Sequence, residues 1–372
     1  MPASNPKKSP APGIPASSLV RALDVVGDAW TILILKDAFQ GRRRFHEFHD
    51  SLHIPKQTLM LRLAALADNE VYHEVVPRLD ARQVVIRRVM DMNDRSLRRA
   101  VIGLGGRTMG VPREGGFDIT AASEVMAILC LANDYDDLKE RLGRIIVGFS
   151  RDGAAVRASD LSAQGAMAAL LRDAMLPNLV QTTEGAPAMV HGGPFGNIAH
   201  GCNSVVATRT LLRRADVVFT EAGFGFDLGA EKFLDIKCRI AGLWPHAIVL
   251  VVTLRALKFH GGVKVADVGR PNREALARGM ENLHKHLDNV RQFGLEPIVV
   301  INVRRDDPED EIALVLGRLQ HEGVECGTAD VYEGGGAGAV DIARVIIDRL
   351  ERTRSAPPQP RFMYDLADPP ME

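Results

Sequence analysis

The sequence holds no Gly-Lys dipeptide, and therefore no loop of the G-x-x-x-x-G-K-[ST] kind that cradles nucleotide phosphates. Cysteine is scarce as well: Cys130, Cys202, Cys238 and Cys326 are scattered, without a C-x-x-C pair or a metal-like spacing. That pattern excludes a zinc ribbon and a disulfide framework, and it fits a reducing compartment with no metal site. Long hydrophobic runs are missing too. The longest, Ala247–Thr253, is far shorter than the roughly 20 residues that cross a bilayer. The opening stretch MPASNPKKSPAPGIPASS lacks the apolar segment of a secretory leader. The expected protein is soluble and cytoplasmic, with no membrane contact.

What is present is ample core material, 46% hydrophobic residues against 25% charged in 372 residues, enough for two domains. The overall charge of −1 conceals an uneven distribution: residues 1–62 carry about +4 and the remainder about −5. A basic amino-terminal piece on an acidic body suggests a second partner at that end.

Residues 1–17, rich in Pro, Ser and Ala, are expected to form a disordered tail. From Ser18 the apolar residues fall at helical spacing. Phe45–Leu52 and Lys56–Leu66 read as two short helices joined at His53-Ile54-Pro55, a helix-turn-helix. The stretch ALDVVGDAWTILILKDAFQGRRRFHEFHDSLHIPKQTLMLRLAAL resembles the start of an HxlR-type winged helix-turn-helix regulator. That resemblance implies a DNA-binding region over 18–66, with Lys56, Gln57, Thr58 and Arg62 facing the groove. The family's cysteine before the first helix and its wing hairpin are both absent.

Beyond residue 66 the register changes. Arg144–Ser150 (RIIVGFS), Asp216–Glu221 (DVVFTE), Ala247–Thr253 (AIVLVVT) and Pro297–Asn302 (PIVVIN) are nearly continuous apolar runs bounded by turns. Strands buried on both faces read this way. Leu161–Leu171, Asn272–Phe293 and Glu309–Glu322 read as helices between or after them. The alternation predicts an α/β fold with a parallel sheet and crossover helices, its ligands at the carboxyl ends of the strands.

Two segments carry the chemistry. HGGPFGNIAHGCNS (191–204) combines a rigid Gly-Gly-Pro turn with His191, Asn197 and His200; by composition it reads as a structural loop more often than as a site. AGFGFDLGAEKFLDIK (222–237) sets three glycines after the DVVFTE run, where an anion could be cradled. Glu221, Asp227, Glu231 and Lys232 supply charge at the same rim, and Phe224 is a further binding candidate beside them. The run Gly103-Leu104-Gly105-Gly106 lacks the strand–GxGxxG–helix context of a dinucleotide loop.

Both segments, with RVMDMNDRSLRRAVIGLGG (88–106) and GVPREGGFDITAASEVMAILCLA (110–132), resemble formate–tetrahydrofolate ligase, in that family's order and spacing. The resemblance implies a partial P-loop-NTPase-like parallel sheet with crossover helices over 67–372, behind the small all-α helix-turn-helix region. It implies ATP, with Mg²⁺, driving formate onto tetrahydrofolate through formyl phosphate, to give 10-formyltetrahydrofolate in one-carbon metabolism. It also implies departures. Asn302-Val303-Arg304-Arg305 stands where the family has Asn-Arg-Phe-Pro, and Tyr332 replaces a tryptophan expected to stack on the pterin. The phosphate-binding lobe and the carboxy-terminal part of the family are expected to be missing. The sequence thus predicts a ligase-like protein inactive alone, whose incomplete sheet favours association into homo-oligomers. The alternative is an HxlR-type regulator with a folate- or nucleotide-sensing, or remnant, ligase body.

Overall fold

The computed structural model describes residues 67, 68, 71, 79–92, 94–106 and 110–369. The expected tail, the helix-turn-helix over 18–66 and its residues Lys56, Gln57, Thr58 and Arg62 lie outside the described residues. The chain divides into two units, Met1–Leu176 and Pro177–Glu372.

In the first unit, β1 (Leu79–Val84), β2 (Arg88–Val89), β3 (Arg99–Ile102) and β4 (Arg113–Asp118) precede helices α1 (Glu124–Leu131) and α2 (Tyr135–Gly143). Then come β5 (Ile146–Ser150), β6 (Ala155–Arg157) and α3 (Gln164–Leu170). β4 sits between β2 and β3, parallel to the first and antiparallel to the second. Asp68 ties β2 to β4 through Arg88 (2.5 Å) and the buried Arg113. The RIIVGFS run forms β5 as expected, but it lies antiparallel between β1 and β6 rather than in a parallel sheet. The reason is local: only four residues separate β5 from β6, closed by the Ser150 N–H donating to the Ala154 carbonyl at 2.8 Å. A parallel crossover needs a dozen or more.

The second unit opens with the hairpin β7 (Asn178–Gln181) and β8 (Pro187–Val190), followed by α4 (Val205–Leu212). A helix, α5, runs over 226–241 with two stretches of wide turns, Phe226–Ala230 and Phe233–Cys238. After it come β9 (Ile248–Val252), α6 (Leu254–His260), α7 (Arg273–Gln292), β10 (Pro297–Asn302), α8 (Glu309–His321), β11 (Glu325–Ala329) and α9 (Val340–Arg354). β10 pairs in parallel with β9 on one side and β11 on the other, in the order β11-β10-β9. Pro297–Ile301 are buried, as an unbroken apolar run in a central strand should be.

The crossover helices follow from their sequences. Asn272 caps α7 by accepting the Ala275 N–H at 2.9 Å, and Leu276, Met280, Leu283, Leu287 and Val290 put one apolar stripe against the sheet. Beneath α6–α8 the core includes Leu254, Leu257, Val299, Ile301 and Leu319; Ile298, Val300, Ile342 and Ile346 close the other face. A buried ion pair pins the connection: Lys258 Nζ donates to Glu311 Oε2 (3.0 Å) and to the Arg270 carbonyl (3.0 Å), and Glu311 Oε1 accepts the Asn272 N–H (2.5 Å).

One expected strand does not form. Asp216–Glu221 is irregular and lies outside every described sheet, and Phe219 is 67% exposed. An apolar run becomes a strand only where a neighbour takes its backbone groups. The described residues therefore establish a mixed α/β protein with four small sheets, one of them parallel.

Candidate functional site

The HGGPFGNIAHGCNS loop folds onto itself. A side chain on Gly201, at φ 65°, would stand 2.5 Å from the Gly196 Cα. Only glycine allows that approach. The loop is anchored at its far end by Ser204, whose Oγ caps α4 by accepting the Ala207 N–H at 2.9 Å. The same oxygen lies 2.6 Å from His191 Nδ1. His191 and His200 are both buried, whereas Asn197 is exposed.

α5 brings the second segment to this loop. Lys232, on its second turn, donates from Nζ to the carbonyls of Gly196 (2.7 Å) and Ala199 (2.9 Å). Phe224, at φ 65°, lays its ring so close to Gly196 that a Cβ there would stand 2.7 Å from it. Gly229 is packed so tightly on the Gly223 carbonyl that a side chain has no room. Wide helical turns of this kind recur at functional sites.

Below the loop a polar cluster is buried. Lys237 is fully enclosed, its Nζ donating to Asn203 Oδ1 (2.6 Å) and Thr208 Oγ1 (3.0 Å) and standing 5.3 Å from the Phe233 ring. Thr220 Oγ1 also reaches Asn203 Oδ1, at 3.3 Å. Burial first, then the charges of Lys237 and Lys232, push the His200 imidazole down to about 4, so it is neutral at pH 7. Its Nε2 is buried with no hydrogen-bond partner among the described residues. Burial raises the Cys238 thiol to about 12, which leaves it inert as a nucleophile. Glu231 is raised by burial and then by Asp235 and Asp227. No group of three metal-ligating side chains occurs among the described residues.

Beside α5 opens a cavity of about 840 Å³, lined in part by Phe219, Phe224, Lys237, Trp244, Val251 and His286. Of the residues expected at a site, the fold sets Phe224 and Lys232 against the loop that carries His200, while His191 bonds to Ser204 at the loop's far end. Asp227 and Glu221 are exposed on the adjoining loop and first turn. Tyr332 stands apart: it is 94% exposed just past the carboxyl end of β11, in the stretch before Gly336, whose N–H donates to Glu184 of the β7–β8 turn (2.9 Å). Sequence reasoning missed Lys237, Asn203 and Thr208. Their association spans 34 and 29 residues, and no local pattern announces it.

A family model described as formate–tetrahydrofolate ligase matches residues 56–372. The chain belongs to the formate–tetrahydrofolate ligase family. It is 56% identical over 310 residues to a formate–tetrahydrofolate ligase of Myxococcus xanthus (strain DK1622), covering 83% of this chain and 56% of that protein. It is 55% identical over 307 residues to the one from Symbiobacterium thermophilum, covering 82% and 54%. The chain thus spans about half the length of the relatives it matches. The match reaches back to residue 56, so Lys56, Gln57, Thr58 and Arg62 fall within the ligase-family stretch, and the HxlR reading gains no support from these relatives. Nor do the matches support the expectation of a truncated, inactive protein.

Proposed function

We propose that the chain serves the ATP-driven joining of formate to tetrahydrofolate, and that its residues form the pterin- and formyl-facing rim of the pocket. The observation that supports this is the interlock of the two glycine-rich segments, in which Lys232 holds the Gly196 and Ala199 carbonyls and the Phe224 ring lies against Gly196, on the loop that carries His200. In that chemistry ATP, with Mg²⁺, phosphorylates formate, a tetrahydrofolate amine attacks the formyl carbon, and phosphate departs. His200, neutral at pH 7, is suited to hydrogen-bond a substrate without carrying charge. Glu221, Asp227 and Asn197 offer polar contacts at the mouth; Tyr332, set apart from this rim, offers an exposed ring face as a separate contact for the pterin. Lys232 has its ammonium committed to two carbonyls, so it holds the loop in place rather than gripping phosphate.

The phosphate grip is the piece that these 372 residues do not supply by a Gly-Lys loop. With formate, tetrahydrofolate, ATP and Mg²⁺, the chain alone should form 10-formyltetrahydrofolate about a thousandfold slower than an intact ligase, or worse. Turnover within tenfold of an intact ligase would overturn that part. Equilibrium binding of tetrahydrofolate tests the rim separately. Tyr332→Ala should weaken it about threefold to tenfold, and unchanged affinity would remove Tyr332 from the site.

A further inference from the structure

The β7–β8 hairpin is a two-stranded ribbon with little to rest on. All of β7 is exposed, and Val190 of β8 is 56% exposed. Such a ribbon is marginal by itself in water, so its ends must fix it. At the root, β8 runs directly into His191, which is buried and 2.6 Å from Ser204 Oγ. At the tip, Thr182 closes the turn: its carbonyl accepts the Gly185 N–H (3.0 Å) and its Oγ1 the Ala186 N–H (3.0 Å). That turn presents Glu184, whose Oε1 accepts the Gly336 N–H at 2.9 Å, from 152 residues away in sequence.

The receiving loop follows β11 and carries Tyr332. It is closed on itself by the Asp330 N–H on the Gly338 carbonyl (3.0 Å) and the Gly334 N–H on the Asp330 carbonyl (3.1 Å). Between these closures lie Gly335, at φ 56°, and Gly336. Consecutive glycines have the widest choice of backbone shapes, so this stretch needs an outside hold to keep one. Among the described residues, the one hydrogen bond that reaches 331–337 from elsewhere in the chain is that of Glu184. Its carboxylate also lies against the loop: a Cβ on Gly335 would stand 3.0 Å from Glu184 Oε1, and one on Gly336 3.1 Å from Glu184 Cδ. Tyr332, at 94% exposed, has little packing to set its ring. The ring takes its direction from the single helical turn Val331–Gly334, and so from the glycines that end that turn.

We propose that Glu184 is a positioning residue for the tetrahydrofolate site. From the hairpin tip it holds the Gly334–Gly336 loop in one shape, and through that loop it holds the Tyr332 ring where a flat ligand can lie on it. A carboxylate suits the task, because an N–H bond to an ionised acceptor is stronger than one to a neutral acceptor. The hairpin thereby links two parts of the site that otherwise stand apart: its root opens the His191–Ser204 loop and its tip steadies Tyr332. This role rests on the proposed function, which gives Tyr332 its ligand; the hold on the loop does not.

Equilibrium binding of tetrahydrofolate to the whole chain tests it, with thermal melts as the check on folding. Glu184→Ala, at an exposed turn, should weaken binding about threefold and leave the melt unchanged. Glu184→Gln, whose amide oxygen still accepts the Gly336 N–H, should bind nearly as the parent does. In a chain already carrying Tyr332→Ala, Glu184→Ala should cost nothing further, since its effect passes through the ring. By nuclear magnetic resonance, the Gly336 amide should exchange about tenfold faster in Glu184→Ala than in the parent. Parent-like binding by Glu184→Ala, where Tyr332→Ala binds weakly, would overturn the positioning role and leave Tyr332 in the site. Losses that multiply in the double variant would overturn it too, because Glu184 would then act on its own. Parent-like binding by Tyr332→Ala would remove the ring from the site, and this role of Glu184 with it.

Discussion

His200 and the Lys258–Glu311 pair show how single buried groups set the protein's tolerance. His200 is held near 4 against an ordinary 6.5, so the unfolded chain takes up the proton first as pH falls. The stabilisation from this group is complete above pH 6.5 and is lost progressively toward pH 4, with a ceiling of about 3 kcal/mol. Urea midpoints taken across that window should slope less steeply for His200→Gln; an unchanged slope would assign the acid sensitivity to other groups. Lys258 and Glu311 are enclosed and hydrogen-bonded at both ends. Lys258→Met strands a buried carboxylate and should cost about 3–5 kcal/mol. Lys258→Met with Glu311→Leu should recover much of that loss, and a double-mutant cycle by denaturant unfolding checks it. Additive losses would mean the two groups act separately.

At the scale of elements, the segment 361–369 is held to α5 by Arg239. Its guanidinium stands 4.1 Å from the Phe362 ring and 4.6 Å from that of Tyr364, and it pairs with Asp235 at 3.3 Å. Asp235 Oδ1 also accepts the Met363 N–H at 3.1 Å. Arg239→Ala should free this segment and speed limited proteolysis beyond Ser355, leaving the melting of the rest nearly unchanged. Arg239→Lys should restore little, because an ammonium cannot stack flat between two rings. Elements also show where local sequence suffices. α7 matches its expected span within a residue at each end, because its cap and apolar stripe are all within the helix. β10 matches throughout, because an unbroken apolar run flanked by turns has few other fates. RIIVGFS gave a strand but not its direction, which the distant β1 and nearby β6 decide together. DVVFTE gave no strand, since its partner is a choice made elsewhere in the chain. The site divides the same way. Its glycine-rich loops were visible as composition, while the Lys232 and Lys237 contacts required the helix to be folded against the loop.

For the whole molecule, the three hydrophobic clusters around the parallel sheet all draw their residues from 202–346. The second unit therefore contains its own core. A chain cut to residues 177–369 should fold alone, with one cooperative thermal transition and retained far-ultraviolet helix signal; a non-cooperative melt would show that it leans on residues before 177. The β7–β8 hairpin exposes Leu179 and Val190, apolar surface that favours association of this unit.

Trp244 rests edge-on against Phe362 at 5.4 Å and lines the cavity that Val251 and Phe219 share. The sequence has one other tryptophan, Trp30. Replacing Trp30 with phenylalanine therefore leaves a chain that carries a single tryptophan, excited apart from its tyrosines at the long-wavelength edge of its absorption, at the cavity wall. Its emission maximum, its accessibility to iodide and its anisotropy report in real time, and without any label, whether the cavity is wet, filled or closed.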